Sequence, residues 1–230
     1  MAMIELRRNT AEHLVWGGLQ VVELGVLAGT AGLGALGWLA GIAHALATGV
    51  LLRRAMQRHR RTALGPADRV TLARNVLIGG ITALVAEHAG TAAPIVVALG
   101  VVALLGDFLD GRVARRTGSV SAFGARLDME VDAFLILVLS VHVAFAFGPW
   151  VLMIGALRYA FVAASWVLPR LRGELPPSFA RKAVAALQGI ALVVAASGLV
   201  PHARMLVALA LAALVWSFGR DVAWLSRSRT

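Results

Sequence analysis

Four aspartates, Asp107, Asp110, Asp128 and Asp132, fall within 26 residues of a chain that holds only 12 acidic residues in 230. The first pair is spaced i, i+3 and the second i, i+4, so each pair lies on one face of a helix. Ionisable groups inside apolar helices cost several kcal/mol each, and four carboxylates in one place repel one another. Hard divalent cations relieve both penalties, because Mg²⁺ takes oxygen ligands from a few carboxylates and substrate phosphates. Two such ions would neutralise the quartet and leave a site able to accept an anionic phosphate ester. Gly111 and Gly124 flank the aspartates and permit close backbone approach, and Arg115 offers a planar fork of donors to a phosphate. Helix capping, or pairing with loop arginines, is the alternative for either pair alone.

The elements that carry these residues are membrane spans. Hydrophobic residues make up 59% of the chain and charged residues 15%, cysteine is absent, and mean hydropathy is +0.80. That composition excludes a soluble cytosolic enzyme, a disordered chain and a disulfide scaffold. The net charge of +10 would suggest a nucleic-acid partner in a soluble protein. In a membrane protein it reads as cytoplasmic loop charge instead, with no nucleic-acid partner. Between His13 and Leu52 the only formally charged residue is Glu23, a run long enough for two spans, and it is expected to form a hairpin of 13–30 and 34–52. Six more spans are expected near 69–87, 92–110, 125–147, 149–168, 179–200 and 203–219.

Arginine collects at Arg7–Arg8, Arg53–Arg61, Gly111–Phe123, Arg170–Lys182 and the tail from Arg220, whereas the alternate connections carry neither Lys nor Arg. Eight spans put both termini and every basic segment on the cytoplasmic side. A cleaved signal peptide followed by seven spans is the alternative. The expected fold is therefore all-α and membrane-embedded, since backbone hydrogen bonds in lipid must close within each span.

The aspartate segment reads D-x-x-D-G-x-x-A-R, then eight residues, then G-x-x-x-D-x-x-x-D, with fixed positions Asp107, Asp110, Gly111, Ala114, Arg115, Gly124, Asp128 and Asp132. It resembles the signature of the CDP-alcohol phosphotransferases. The resemblance covers about residues 66–219 and implies a six-helix core, so that residues 1–60 form an N-terminal transmembrane hairpin with a basic linker and residues 61–230 the phosphotransferase membrane domain. It includes an N-x-x-T-x-x-R pattern in the first core helix, here Asp68, Thr71 and Arg74 with Asp in place of Asn. Lys182 and Gln188 resemble a further family pairing.

The resemblance implies transfer of a phosphatidyl or similar group from a CDP-linked lipid donor, such as CDP-diacylglycerol, to the hydroxyl of a small polar alcohol, with release of CMP. It implies two divalent cations, Mg²⁺ or Mn²⁺, held by Asp107, Asp110, Asp128 and Asp132, and Asp132 as general base. Nucleotide contacts would come from Asp68, Thr71, Gly111, Ala114, Arg115, Ser121 and Gly124, and a homodimer is expected. Arg158, inside a span, with Arg181 and Lys182, points toward a phosphorylated acceptor such as glycerol phosphate or inositol phosphate. An ion pair for Arg158 and positive-inside charge for the other two are the alternatives. Glu23, His44, Glu87, His88 and His142 have no metal-ligand partner at helical spacing in their own spans and read as packing residues, and the six Trp read as interfacial or lipid-facing. A transporter with an acidic metal site, or a catalytically silent relative, remains the competing reading.

Overall fold

A computed structural model of the chain describes residues 2–59, 61, 63–88, 90–91, 93–168, 173 and 178–227, with backbone alone for residues 2–11, 13 and 227. The Arg7 and Arg8 side chains, and Arg170, lie outside the described residues. Among the described residues there are eight α-helices and no strand: α1 (Ala2–Ala31), α2 (Ala35–Arg58), α3 (Pro66–His88), α4 (Ala93–Arg116), α5 (Ala122–Phe147), α6 (Leu152–Val167), α7 (Phe179–Ser197) and α8 (Ala203–Arg227). A 3₁₀ turn, Pro149–Val151, leads into α6. All eight elements are long and apolar enough to cross a membrane.

The helices α2 and α4 run past the expected ends of their spans, as do α1, which begins at Ala2 rather than residue 13, and α8, which ends at Arg227 rather than residue 219. Helix α2 extends to Arg58 rather than residue 52, and α4 to Arg116 rather than residue 110. The α2 and α4 extensions each hold three Arg, a good helix former, at the helix C-terminus, where the helix dipole favours cations. Gly111, Ala114 and Arg115, expected in a loop, therefore belong to the last two turns of α4. Past Thr117 the chain turns at Gly118, whose φ of +63° requires glycine.

The chain divides into two compact units, Met1–Phe134 and Leu135–Thr230, with the boundary inside α5. In the first unit α3 is the most buried helix and packs against α1, α2 and α4. One side of α3 is notched by glycine. A Cβ at Gly79 would collide with the Gln20 carboxamide, and one at Gly80 with the Glu23 carboxylate. Leu24 of α1 fills a matching notch at Gly41 of α2. Small residues let helix backbones approach where lipid supplies no hydrophobic drive.

Polar groups then tie the hairpin to α3. Gly37 N donates to Glu87 Oε2 at 2.7 Å, satisfying an otherwise orphan N–H in the first turn of α2. His44 Nε2 meets the Asn75 carbonyl at 3.1 Å, and Asn75 Nδ2 donates to Thr48 Oγ1 at 3.0 Å. Glu87 and His44 thus pack as the sequence suggests, and the structure adds that they do so through interhelical hydrogen bonds. Below them Leu52, Met56, Leu64, Leu72 and Phe123 form a buried cluster, with Trp16 against it rather than facing lipid.

In the second unit α7 lies along α8. Ser178 caps α7 by accepting from Arg181 N, and Gly198, at φ +65°, ends it. A Cβ at Gly155 of α6 would stand 2.5 Å from the Leu137 Cα, so the backbones of α5 and α6 are in close approach there.

The glycine notch on α3 generates a stability prediction. Gly79→Leu should destabilise the detergent-solubilised protein by about 1–3 kcal/mol, read as a fall in thermal midpoint. Gly25→Leu, at a position with nothing within 4 Å, should leave the midpoint close to wild type.

Candidate active site

The site is assembled on α3, α4 and the first half of α5, within the first unit. Pro66 opens α3 at its first helical position, where its missing N–H costs nothing. Asp68, two residues on, reaches back to accept from Gly65 N at 2.8 Å, the reciprocal half of a capping box. Its Oδ2 also takes Arg61 Nη1 at 3.1 Å. One turn later Thr71 Oγ1 donates to Asp110 Oδ2 at 3.2 Å and contacts the Ala67 carbonyl at the same distance. Asp68, Thr71 and Arg74 follow an i, i+3, i+6 spacing and are all buried, which turns one stripe of α3 toward the site.

The helix α5 begins beside this stripe. Ser121 is its N-cap, with Oγ accepting from Gly124 N at 3.0 Å. Gly124 faces Asp68: a Cβ there would lie 2.7 Å from Asp68 Oδ1 and 3.2 Å from Ser121 Oγ. Asp68, Ser121 and Gly124, expected to share a ligand, are thus brought to one spot. Gly111 and the exposed Arg115 stand together on α4, where a Cβ on Gly111 would be 3.4 Å from Arg115 Nη1.

The four aspartates converge. One carboxylate oxygen each from Asp107, Asp110 and Asp128 lies within 4.8 Å of the other two. Asp110 is buried, whereas the other three aspartate side chains remain between a third and a half exposed. Among the described residues, the cation paired with them is Arg74. Arg74 Nη1 is 2.6 Å from Asp110 Oδ2, 2.8 Å from Asp128 Oδ1 and 3.7 Å from Asp107 Oδ1, and Nη2 pairs with Asp132 Oδ1. Asp132 therefore joins the other three through the guanidinium.

From sequence, Arg74 is only a motif position, and the countercharge is assigned to divalent cations, with loop arginines as the alternative. The available signal was the stripe itself, because a lone Arg three residues after Thr71 faces whatever Thr71 faces. Four carboxylates against one guanidinium leave a formal surplus of three negative charges. The donors are all oxygen, with no His or Cys among them, which suits hard cations such as Mg²⁺ or Mn²⁺.

Arg158, Arg181 and Lys182 belong to the second unit. Arg158 is half-buried on α6, Lys182 is exposed in the first turn of α7, and Arg181 Nη1 lies 3.4 Å from Asp221 Oδ1. Arg220 shares that carboxylate at 3.4 Å and lies over the Trp216 ring. Gln188 is buried on α7.

An all-helical polytopic membrane protein with an aspartate cluster on two successive spans defines a narrow class. A family model described as CDP-alcohol phosphatidyltransferase matches residues 64–216, about two-thirds of the chain, and the protein belongs to that family. No curated protein and no solved structure matches it. Membership makes it a membrane transferase acting on a CDP-alcohol donor.

The close approach of Gly124 to Asp68 is open to test. Gly124→Ala should push the Asp68 carboxylate off its Arg61 and Gly65 partners and lower stability by about 1–3 kcal/mol, measured as a drop in thermal midpoint.

Proposed function

We propose that the protein transfers a phosphatidyl group from CDP-diacylglycerol to the hydroxyl of a small polar alcohol, releasing CMP, with two divalent cations held by Asp107, Asp110, Asp128 and Asp132. The observation that carries this reading is the convergence of three carboxylate oxygens from α4 and α5 within 4.8 Å, beside a fourth aspartate on the same guanidinium. Bound Mg²⁺ or Mn²⁺ would supply Lewis-acid stabilisation of the charge that develops on the diphosphate as CMP departs. With both ions in place the formal surplus of the site turns slightly positive, which suits an anionic donor.

The chain's own residues bind, orient and deprotonate. Asp68, Thr71, Ser121 and Gly124 line one side of the nucleotide site, and Gly111, Ala114 and Arg115 the other, with the Arg115 fork free to address a phosphate. Asp132 acts as general base. Its Oδ1 is held by Arg74, so Oδ2 takes the proton of the acceptor hydroxyl. The acceptor oxygen forms its bond to the phosphorus that carries the lipid, and the bond from that phosphorus to CMP breaks with its electron pair on CMP.

Arg158, Arg181 and Lys182 are assigned to a phosphorylated acceptor, glycerol phosphate or inositol phosphate, on their charge and sequence position. The active site and both termini face the cytoplasm on the positive-inside rule, in a cell-membrane protein that forms a homodimer. Residues 1–60 are proposed as an added hairpin and linker, and residues 61–230 as the phosphotransferase domain.

The test is an assay of purified protein with CDP-diacylglycerol, Mg²⁺ or Mn²⁺, and glycerol phosphate, inositol phosphate, serine or inositol, reading lipid products by mass. CMP should form only with a divalent cation and an acceptor. Asp132→Asn should cut turnover by about 10²–10⁴-fold at unchanged protein abundance. CMP release that persists in excess EDTA, or an Asp132→Asn variant with wild-type turnover, overturns the mechanism.

A further inference from the structure

Arg74 is built into the site more firmly than a surface countercharge would be. The residue is 2% exposed. Its Nε donates to the Ala103 carbonyl of α4 at 2.9 Å, which anchors the side chain before the guanidinium reaches any carboxylate. It crosses α4 at Gly106, where a Cβ would lie 2.7 Å from Arg74 Cγ and 2.8 Å from Cδ. Beyond that notch the planar fork divides. Nη1 serves Asp110 of α4 and Asp128 of α5, and Nη2 serves Asp132 of α5. One side chain from α3 therefore draws on the same three carboxylates, Asp107, Asp110 and Asp128, whose oxygens are close enough to hold a cation.

We propose that Arg74 is the resident counter-cation of the aspartate quartet, a positioning residue that holds the carboxylates together without divalent ions and competes with those ions for the same oxygens. The proposal rests on the reading of the quartet as a divalent-cation site. Its physical content is charge balance in a poorly solvated place. Four carboxylates repel, and only positive charge permits their approach. A guanidinium supplies one unit of it in fixed geometry. Once a divalent ion enters, the guanidinium becomes a like charge within a few ångströms, in a medium that screens weakly. Affinity of the site for cations is then lower than the carboxylates alone would give, and Arg74 sets the difference. Yielding an oxygen to the ion also frees N–H donors that point into the site.

The experiment uses the full chain in detergent, with Mn²⁺ as the probe. Thermal midpoints are measured in EDTA and in saturating Mn²⁺, and the Mn²⁺ dissociation constant is read from the free-ion resonance signal. Arg74→Gln should lower the midpoint in EDTA, show a larger rise on adding Mn²⁺ than wild type, and bind Mn²⁺ about tenfold tighter or more. Gly106→Ala keeps the guanidinium but crowds its stem, and should move both readings the same way by a smaller amount. It carries the test if Arg74→Gln fails to fold. Wild-type or weaker Mn²⁺ affinity in the folded variants, with no larger rise, overturns the role of Arg74 while the wild-type Mn²⁺ response stands. A wild-type protein that neither binds Mn²⁺ nor is stabilised by it overturns the cation site and this proposal together.

Discussion

Four carboxylates at the ends of two apolar helices are an arrangement that a low-dielectric slab resists. Moving them together costs desolvation for each and repulsion between all, so the fold must bring positive charge to the same place. Within the protein that charge is Arg74, and its route explains several otherwise unrelated features. Gly106 is small because the Arg74 stem passes over it, and the Ala103 carbonyl accepts Nε to fix the approach. Thr71, one turn earlier, gives Asp110 a second donor. Removing one partner from such a network leaves buried charge uncompensated, which is why networks of this kind tolerate little change.

The same constraint accounts for the placement of α3. A helix that carries an arginine and an aspartate into the site cannot present its remaining faces to lipid without burying the polar groups beside them. Asn75 sits next to Arg74 in sequence and about 100° round the helix, and there His44 and Thr48 of α2 satisfy its carbonyl and carboxamide. The family match begins at residue 64, so the α1–α2 hairpin lies outside it. Physically the hairpin is nonetheless continuous with the site, since it packs directly against the helix from which Thr71 and Arg74 project. Interhelical hydrogen bonds in apolar surroundings are individually worth about 0.6–2 kcal/mol, and here several act along one seam.

Membership of the CDP-alcohol phosphatidyltransferase family joins this electrostatic arrangement to a reaction that needs it. A CDP-alcohol brings an anionic diphosphate, which a site with excess carboxylate repels unless positive charge offsets it. The partial exposure of Asp107, Asp128 and Asp132 beside a buried Asp110 gives a cluster with a closed floor and an open mouth.

The eight helices were legible in the chain because runs of about 20 apolar residues, broken at Gly34, Pro66, Pro149 and the basic segments, have few other solutions in a bilayer. The aspartates were legible too, since i, i+3 and i, i+4 spacing places side chains on one face whatever lies opposite. What lay opposite was not. That Arg74 stands among the aspartates, that Glu87 serves the Gly37 N–H, and that Asp68 is engaged by Arg61 and Gly65 are contacts between helices or across a turn. Periodicity within a helix gives the direction of a side chain about its own axis. The neighbour it meets is set by how far one helix slides and rotates against the next, and only the packed structure holds that information.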